Sequence, residues 1–201
     1  MRVEIKIILI LIGLIIDVLG AEFGLRIFYP QKTGSIEFSY DPERGAIAVP
    51  NQCGRTDWPG VYFYRRCNNS LGLRGTKEYD FEKNSFRILL LGDSFTYGTG
   101  VNDDQTFASV LQKRLDEKGK LTEIINAGDV GTGTDYDLKF FQVLGYRYQP
   151  DITAVFFYQN DYEDNAGQTY FFEDISGNLV PKNLNGILAT HKTIFDNKLY
   201  E

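Results

Sequence analysis

The sequence from residue 85 onward alternates short apolar segments with amphipathic ones, and this pattern constrains the fold more than any other feature. The apolar segments are "FRILLL" at 86–91, "TEIIN" at 122–126 and "ITAVFFY" at 152–158. The stretches between them place apolar residues three and four positions apart, which is typical of helices with one packed face. Strands that alternate with helices predict a parallel sheet covered by helices, and the third strand is apolar enough to be buried on both faces.

Both helices between these strands have recognisable ends. Asn102 or Asp103 is the predicted N-cap of the first helix, because a short polar side chain can accept a hydrogen bond from a free backbone N–H. Lys118 and Gly119 mark its end. The second helix is predicted from Asp135 to about Tyr148. Beyond the third strand, "YFFEDISGNLV" predicts a hairpin with its turn at Ser176-Gly177-Asn178.

The N-terminus differs from the rest of the chain. "MRVEIKIILILIGLIIDVLG" places Arg2 and Lys6 before ten uninterrupted apolar residues. We interpret residues 1–28 as an uncleaved membrane anchor, with a cleaved signal segment and a buried helix as the alternatives. Positive charges before the apolar run favour an extracytoplasmic location for the remainder. Residues 29–84 are interpreted as a loop-rich linker and cap region with one short strand at "VYFYRR", and residues 85–201 as the main domain.

Charge and cysteine content limit the partners, the disulfides and the metal sites that the protein can have. The net charge of −6, from 21 basic and 27 acidic residues, argues against nucleic-acid partners because no basic stretch matches a phosphate backbone. Cys53 and Cys67 are the only cysteines, and in an exported chain they could pair, with two free thiols as the alternative. A single histidine, His191, makes a structural zinc site improbable, and we expect no metal or organic cofactor.

Each apolar strand leads into a loop that carries reactive or flexible residues. Gly92-Asp93-Ser94 follows the first strand, residues 126–131 ("NAGDVG") follow the second, and Gln159-Asn160-Asp161 follow the third. The carboxyl ends of parallel strands meet at one edge of a sheet, so these three loops should lie together. A serine hydroxyl, glycine N–H groups and an asparagine amide are the components of an acyl-transfer site with an oxyanion hole.

"GDSFTYGTG", "NAGDVGTG" and "YQND", in this order, resemble the first three motif blocks of the SGNH (GDSL) hydrolase superfamily. "NNSLGLRG" and the apolar N-terminal helix resemble its membrane-anchored bacterial branch. The resemblance implies a flavodoxin-like, three-layer α/β fold and a serine hydrolase that acts on acyl ester bonds. It also implies a location in the periplasm or at the cell surface, with O-acetylated polysaccharides as one substrate class.

The resemblance also implies roles for individual residues. Ser94 would be the nucleophile, and the oxyanion would be stabilised by the backbone N–H groups of Ser94 and Gly131 and by the side-chain amide of Asn160. Asp93 and Asp161 would brace turns by accepting backbone N–H groups.

The catalytic base is the element of the family pattern that the sequence lacks. The family carries it in a late Asp-x-x-His motif, whereas Leu188 stands three residues before His191. We therefore interpret His191 as a surface residue and expect the chain to be the N-terminal portion of a longer hydrolase. The alternative is a catalytically inactive, membrane-anchored module that binds glycans. A phosphate-binding module is a weaker alternative, because the glycine-rich loops lack the P-loop lysine.

Overall fold

The computed structural model describes residues 3–28, 37–58, 61–168, 170–173, 176 and 178–181. The chain divides into two compact units, residues 1–33 and 34–201. Helix α1 (Val3–Phe28, 26 residues) is the described part of the first unit, and none of its side chains is buried. Within the described residues, no helix combines the length and the apolar character that a membrane crossing requires.

The second unit begins with two antiparallel hairpins. Strand β1 (Phe38–Asp41) pairs with β2 (Gly45–Ala48), and β3 (Cys53–Trp58) pairs with β4 (Tyr62–Cys67). Cys53 lies opposite Cys67 in this register, and the two form a disulfide. The strand predicted at "VYFYRR" is β4, but the region contains more regular structure than the sequence pattern indicates.

A parallel sheet of three strands follows. Its strands are β5 (Phe86–Gly92), β6 (Thr122–Asn126) and β7 (Ile152–Phe156), in the order β6-β5-β7. The helices are α2 (Ser94–Tyr97), α3 (Phe107–Glu117), α4 (Thr134–Val143) and α5 (Asp161–Gln168), and a last hairpin joins β8 (Phe171–Glu173) to β9 (Leu179–Pro181). The α/β fold with a parallel sheet and the final hairpin are therefore confirmed.

Alternate residues of the sheet pack against helices on opposite faces. On one face Leu90 and Ile124 form a core with Ala108 of α3. On the other face Leu89 and Leu91 belong to a larger core that includes α4; its buried members from the sheet and α4 are Leu89, Leu91, Ile125, Tyr136 and Phe140. This alternation follows from the two-residue period of a strand and gives the predicted three layers.

Lys118 and Gly119 end α3 as predicted, whereas the start of α3 and the end of α4 differ from the sequence prediction. Thr106 is the N-cap of α3, and its hydroxyl accepts the Ser109 N–H at 3.2 Å. Asn102 instead begins a short 3₁₀ turn, and its side chain accepts the Arg65 N–H at 2.8 Å. Helix α4 stops at Val143 and is followed by a 3₁₀ turn that begins at Gly145. Glycine is a poor helix former, so the helix ends just before Gly145, which packs closely on Leu89.

The prediction that the third strand is buried is wrong. Ile152, Val155 and Phe156 of β7 are all exposed. The strand pairs with β5 on one side, and its other edge has no partner strand among the described residues. Burial depends on the number of neighbouring elements as well as on composition, so an apolar strand at the sheet edge stays accessible.

Candidate active site

The loops that follow β5 and β6 are held together by backbone contacts. The Asp129 N–H donates a hydrogen bond to the Gly92 carbonyl at 3.0 Å, and the Asn126 side-chain amide donates to the Thr96 carbonyl at 2.9 Å. Gly128 lies so close to the backbone of Thr96 that a Cβ at this position would overlap it. Only glycine allows this approach, which fixes the second loop against helix α2.

Ser94 is the first residue of α2 and lies directly beyond the carboxyl end of β5. Asp93 is the N-cap, and its carboxylate accepts the Phe95 N–H at 2.9 Å. The N–H of a first helical residue has no partner within its helix, so the Ser94 N–H is available to a ligand. Ser94 is half-buried, whereas Asp93 and Thr96 beside it are buried. The surroundings therefore hold the serine in place while leaving it accessible.

Gly131 lies in the second loop with a positive φ of 72°, which favours glycine. It is exposed, and a Cβ at this position would meet no atom within 4 Å. The Thr132 hydroxyl beside it donates to the Asp129 carbonyl at 3.1 Å and stiffens the turn. Gly131 thus lies at an exposed position of a loop whose conformation the Thr132 hydroxyl stabilises.

Asn160 precedes helix α5. Its carbonyl accepts the N–H groups of Glu163 and Asp164 at 2.9 Å, and its side-chain nitrogen donates to the Asp164 carboxylate at 2.7 Å. An amide nitrogen carries two hydrogens, so one remains for an oxyanion. The adjacent Asp161 accepts the Tyr158 N–H at 3.1 Å. The geometry of Asp161, like that of Asp93, agrees with the predicted turn-bracing role.

Helix α5 is joined to the start of α4 through Asn165. The side-chain oxygen of Asn165 accepts the Asp135 N–H at 3.2 Å, and its nitrogen donates to the Thr134 hydroxyl at 2.9 Å. Gly133 lies directly against the same side chain, where a Cβ would overlap it. These contacts connect the third loop to the second, just as the Asp129 N–H connects the second to the first.

Two buried carboxyl groups beneath the loops have raised pKa values. Burial raises the pKa of Asp129 to about 6, although hydrogen bonds from the Val130 N–H and the Tyr136 hydroxyl lower it in part. Burial raises the pKa of Asp137 to about 7, and the nearby carboxylates of Asp161 and Asp93 raise it further, while the Gly92 N–H opposes the shift. Burial therefore favours the neutral, protonated form of both carboxyl groups beneath the loops.

Two residues that support helix α2 through Tyr97 were not predicted from the sequence. The Tyr97 hydroxyl donates to the Asn68 side chain at 2.8 Å, and the Arg74 guanidinium lies 4.8 Å from the Tyr97 ring centroid. Arg74 also donates to the Val101 carbonyl at 2.8 Å and pairs with Asp103. Asn68 and Arg74 both lie in "NNSLGLRG", so this motif was the signal that could have identified them.

Comparison with known proteins identifies the family. Residues 88–196, more than half of the chain, match the model of the GDSL-like lipase/acylhydrolase family. The chain belongs to this family. The matched range includes the three loops described above, and the parallel α/β sheet fits the SGNH hydrolase fold.

The match to solved structures covers a smaller part of the chain. The chain is similar to the crystal structure of AlinE4, an SGNH-hydrolase family esterase, with 30% identity, coverage of 40% of this chain and 43% of that one, and a TM-score of 0.34. Two mutants of AlinE4 match at 30% and 25% identity, with TM-scores of 0.34 and 0.33. The chain thus spans less than half the length of these esterases. No curated protein matches it significantly.

The predicted residues Ser94, Gly131 and Asn160 lie in the three loops at the carboxyl end of the sheet. His191 lies outside the described residues, as do Leu188 and the turn residue Gly177. Within the described ranges, no group of three or more His, Cys, Asp or Glu side chains has the arrangement of a metal site.

Proposed function

We propose that the chain hydrolyses acyl esters with Ser94 as the nucleophile. The family consists of lipases and acylhydrolases by its description, which supports ester substrates as a class. The hydrogen bond between the Asp129 N–H and the Gly92 carbonyl, at 3.0 Å, carries the assignment to these residues. It joins the loop of Gly131 to the end of strand β5, two residues before Ser94, so one carbonyl group can face the serine and a second backbone donor.

The reaction follows from these groups. The Ser94 oxygen attacks the ester carbonyl carbon while its proton passes to a base, a role for which the described residues hold no histidine. The carbonyl oxygen gains negative charge opposite the N–H groups of Ser94 and Gly131 and the amide of Asn160, which stabilise it. The bond to the alcohol oxygen then breaks, the alcohol leaves with a proton, and the acyl group stays on Ser94. Water attacks the same carbon, releases the acid and restores the serine.

The side-chain amide of Asn160 is the third donor to the oxyanion in this reaction. Its hydrogen bond to Asp164 fixes the plane of the amide, so the second N–H keeps one direction before the substrate arrives. Donors that are oriented beforehand cost little reorganisation in the transition state, and the loss of one typically lowers the rate about 100-fold or more.

Covalent labelling tests the proposal directly. We expect a fluorophosphonate to label the full-length chain at Ser94, as identified by mass spectrometry of the modified peptide. The Ser94→Ala variant should remain unlabelled. The Ser70→Ala variant is a matched control that should label normally, because Ser70 is exposed and its hydroxyl donates to Glu78, outside the three loops of the candidate active site. A folded wild-type chain without label would contradict the proposal and leave a binding module, which glycan titration would then detect.

We also propose that α1 holds the chain at a membrane, with the second unit on the extracytoplasmic side. The aliphatic side chains of α1 between Ile7 and Ile16 are exposed, and a continuous apolar surface of this kind is favoured in an apolar environment. The Cys53–Cys67 disulfide supports an oxidising compartment. Liposome flotation of the full chain, compared with the Ile8→Lys variant, tests the attachment. Equal flotation of both chains would contradict it.

A further inference from the structure

A groove lies between helix α4 and strand β7, on the face of the sheet that α4 covers. Its volume is about 390 Å³. Thr153 and Val155 form its β7 side, and both are exposed. We call this space the α4–β7 groove, and the residues that line it include Leu91, Asp137, Leu138, Phe141, Thr153 and Val155.

A buried carboxyl group distinguishes this groove from an ordinary gap at a sheet edge. Asp137 lines the groove and is only 3% exposed. The Gly92 N–H lies near its carboxyl, but neither carboxyl oxygen has a hydrogen bond of normal geometry with any described residue. The unpaired edge of β7 explains why that strand is accessible, but it does not explain a buried polar group without a partner, which is costly. An occupant of the groove should therefore be apolar and should bring one polar group to Asp137.

The chain itself contains a segment with this chemistry. Residues 186–195 read "GILATHKTIF" and lie outside the described residues. The four large apolar residues of the segment are spaced as on one face of an α-helix: Ile187, Leu188, Ile194 and Phe195. His191 stands at the centre of that face and is the only histidine of the chain. Ten residues of helix extend about 15 Å, which matches the ten residues of α4 on the other side of the groove.

The course of the chain keeps this segment on the α4 side of the sheet. After β7 the chain packs against α4, since Asn165 of α5 donates to the Thr134 hydroxyl and Phe171 of β8 belongs to the larger core beneath α4. Strand β9 ends at Pro181, and nine residues separate it from His191. Nine extended residues span about 30 Å, so the segment can reach the groove.

We propose that residues 186–196 occupy the α4–β7 groove as a helix, with the His191 imidazole hydrogen-bonded to the Asp137 carboxyl. Burial raises the pKa of this carboxyl to about 7, so its O–H can donate to a ring nitrogen of the neutral imidazole. The family match continues to residue 196, so the segment belongs to the matched domain. The inference does not depend on catalysis by Ser94, and it assigns His191 a buried position instead of the surface position expected from the sequence.

Hydrogen exchange of the full-length chain, followed by mass spectrometry, tests the position of the segment. We expect the amides of residues 187–195 to exchange at least 100-fold more slowly than those of an unstructured peptide of the same sequence. Val155→Lys places a charge in the groove and should reduce this protection at least tenfold. Ile152→Lys is the matched control and should not, because Ile152 is a similarly exposed residue on the opposite face of the same strand.

Substitutions of the pair test the hydrogen bond separately from the apolar contact. His191→Leu keeps an apolar face but leaves Asp137 without a partner, so the protection of the segment should fall about tenfold. Adding Asp137→Leu removes the second polar group and should restore most of the protection. Thr193→Leu is the control, because residue 193 lies on the opposite side of the predicted helix. Nuclear Overhauser effects from the ring protons of the single histidine to the methyl groups of Leu138 and Val155 provide a second readout.

Three results would overturn the proposal. The first is exchange of residues 187–195 at the unstructured rate in a full-length chain whose β5 amides are protected. The second is equal protection in Val155→Lys and Ile152→Lys; if Val155→Lys also loses the protection of β5, Thr153→Lys replaces it. The third is protection that increases with protein concentration, because a second copy would then occupy the groove. Protection that depends on Val155 but not on His191 would overturn the hydrogen bond.

Discussion

The side-chain amide of Asn160 donates a 2.7 Å hydrogen bond to the carboxylate of Asp164, four residues further along the chain. The contact spans the first turn of α5 and uses one of the two amide hydrogens. It places a charged acceptor directly behind a predicted oxyanion donor, so Asp164 is a positioning residue for the candidate active site.

Removing the Asp164 carboxylate should therefore impair Asn160 without touching Ser94. In Asp164→Ala we expect the rate of fluorophosphonate labelling to fall about 10-fold, less than the roughly 100-fold loss expected in Asn160→Ala, because the amide remains but is no longer oriented. Asp164→Asn keeps an acceptor oxygen and should recover most of the rate. A purely structural role would instead lower the melting temperature of Asp164→Ala and leave Asp164→Asn equally impaired.

The close approach of Gly128 to helix α2 predicts that one added methyl group at this position lowers the stability of the folded chain. In Gly128→Ala the new Cβ would overlap the Thr96 and Tyr97 backbone, so we expect a loss of about 2–3 kcal/mol in the free energy of unfolding. Urea denaturation measures this loss. The control is Gly167→Ala in α5, where a Cβ meets nothing within 4 Å and helix propensity should make the change neutral or stabilising.

Arg87 is the largest fully buried side chain of the domain, and its partners predict a large effect of substitution. Its guanidinium donates to Glu123 at 2.8 Å, to the Tyr148 carbonyl at 2.9 Å and to the Glu82 carbonyl at 3.0 Å. Arg87→Met removes the donor to both carbonyls and leaves Glu123 with only the exposed Lys77 at 2.9 Å, so it should cost about 3–5 kcal/mol by urea denaturation.

The accessible ion pair of Lys83 and Asp151 is the comparison for Arg87. Pairs at the surface contribute about 0–1 kcal/mol, so Lys83→Met should change the unfolding free energy by no more than that. Equal effects of the two substitutions would show that the burial of Arg87 does not determine its contribution.

The raised pKa of Asp137, about 7, predicts a pH dependence of stability. In the unfolded chain an aspartate titrates near 3.9, so between about pH 4 and 7 the folded chain holds a proton that the unfolded chain lacks. The stabilising contribution is complete below pH 4 and is lost as the pH rises through 7. Burial of the charge therefore destabilises the chain at pH 8 by roughly 2–4 kcal/mol.

Urea denaturation at pH 5 and pH 8 measures this dependence. Asp137→Asn should be more stable than the wild type at pH 8 and should reduce the difference between the two pH values. The exposed Asp80 serves as the control, and Asp80→Asn should leave the difference unchanged. A pH profile that is the same in Asp137→Asn and the wild type would exclude Asp137 as its source.

The parts of the fold that follow from local pattern were predictable, and the parts set by distant neighbours were not. The runs that became β5 and β7 are apolar in sequence, so their existence and direction could be inferred. The exposure of β7 could not, because it depends on how many strands pair with it. Thr106 and Asn102 are both good caps, but the Asn102 side chain is occupied by the hydrogen bond that the distant Arg65 N–H donates to it.

The candidate active site also has features that follow from local pattern and features that depend on distant neighbours. The loops of Ser94, Gly131 and Asn160 follow strands, so strand order was enough to bring them to one edge. The burial of Asp137 depends on how α4 packs against the sheet, and the contact between the Phe95 and Tyr158 rings joins α2 to the segment after β7. Neither relationship leaves a trace in the spacing of residues along the chain.

The disulfide opposite the turn of the β3–β4 hairpin determines how this region responds to cleavage. Cys53 and Cys67 close a loop with a sequence separation of 14 residues. A protease that cuts between the two strands would therefore leave both fragments covalently attached, and they would separate only after reduction. The hairpin can thus be nicked without being lost, and a chain that looks intact on a non-reducing gel can already be in two pieces.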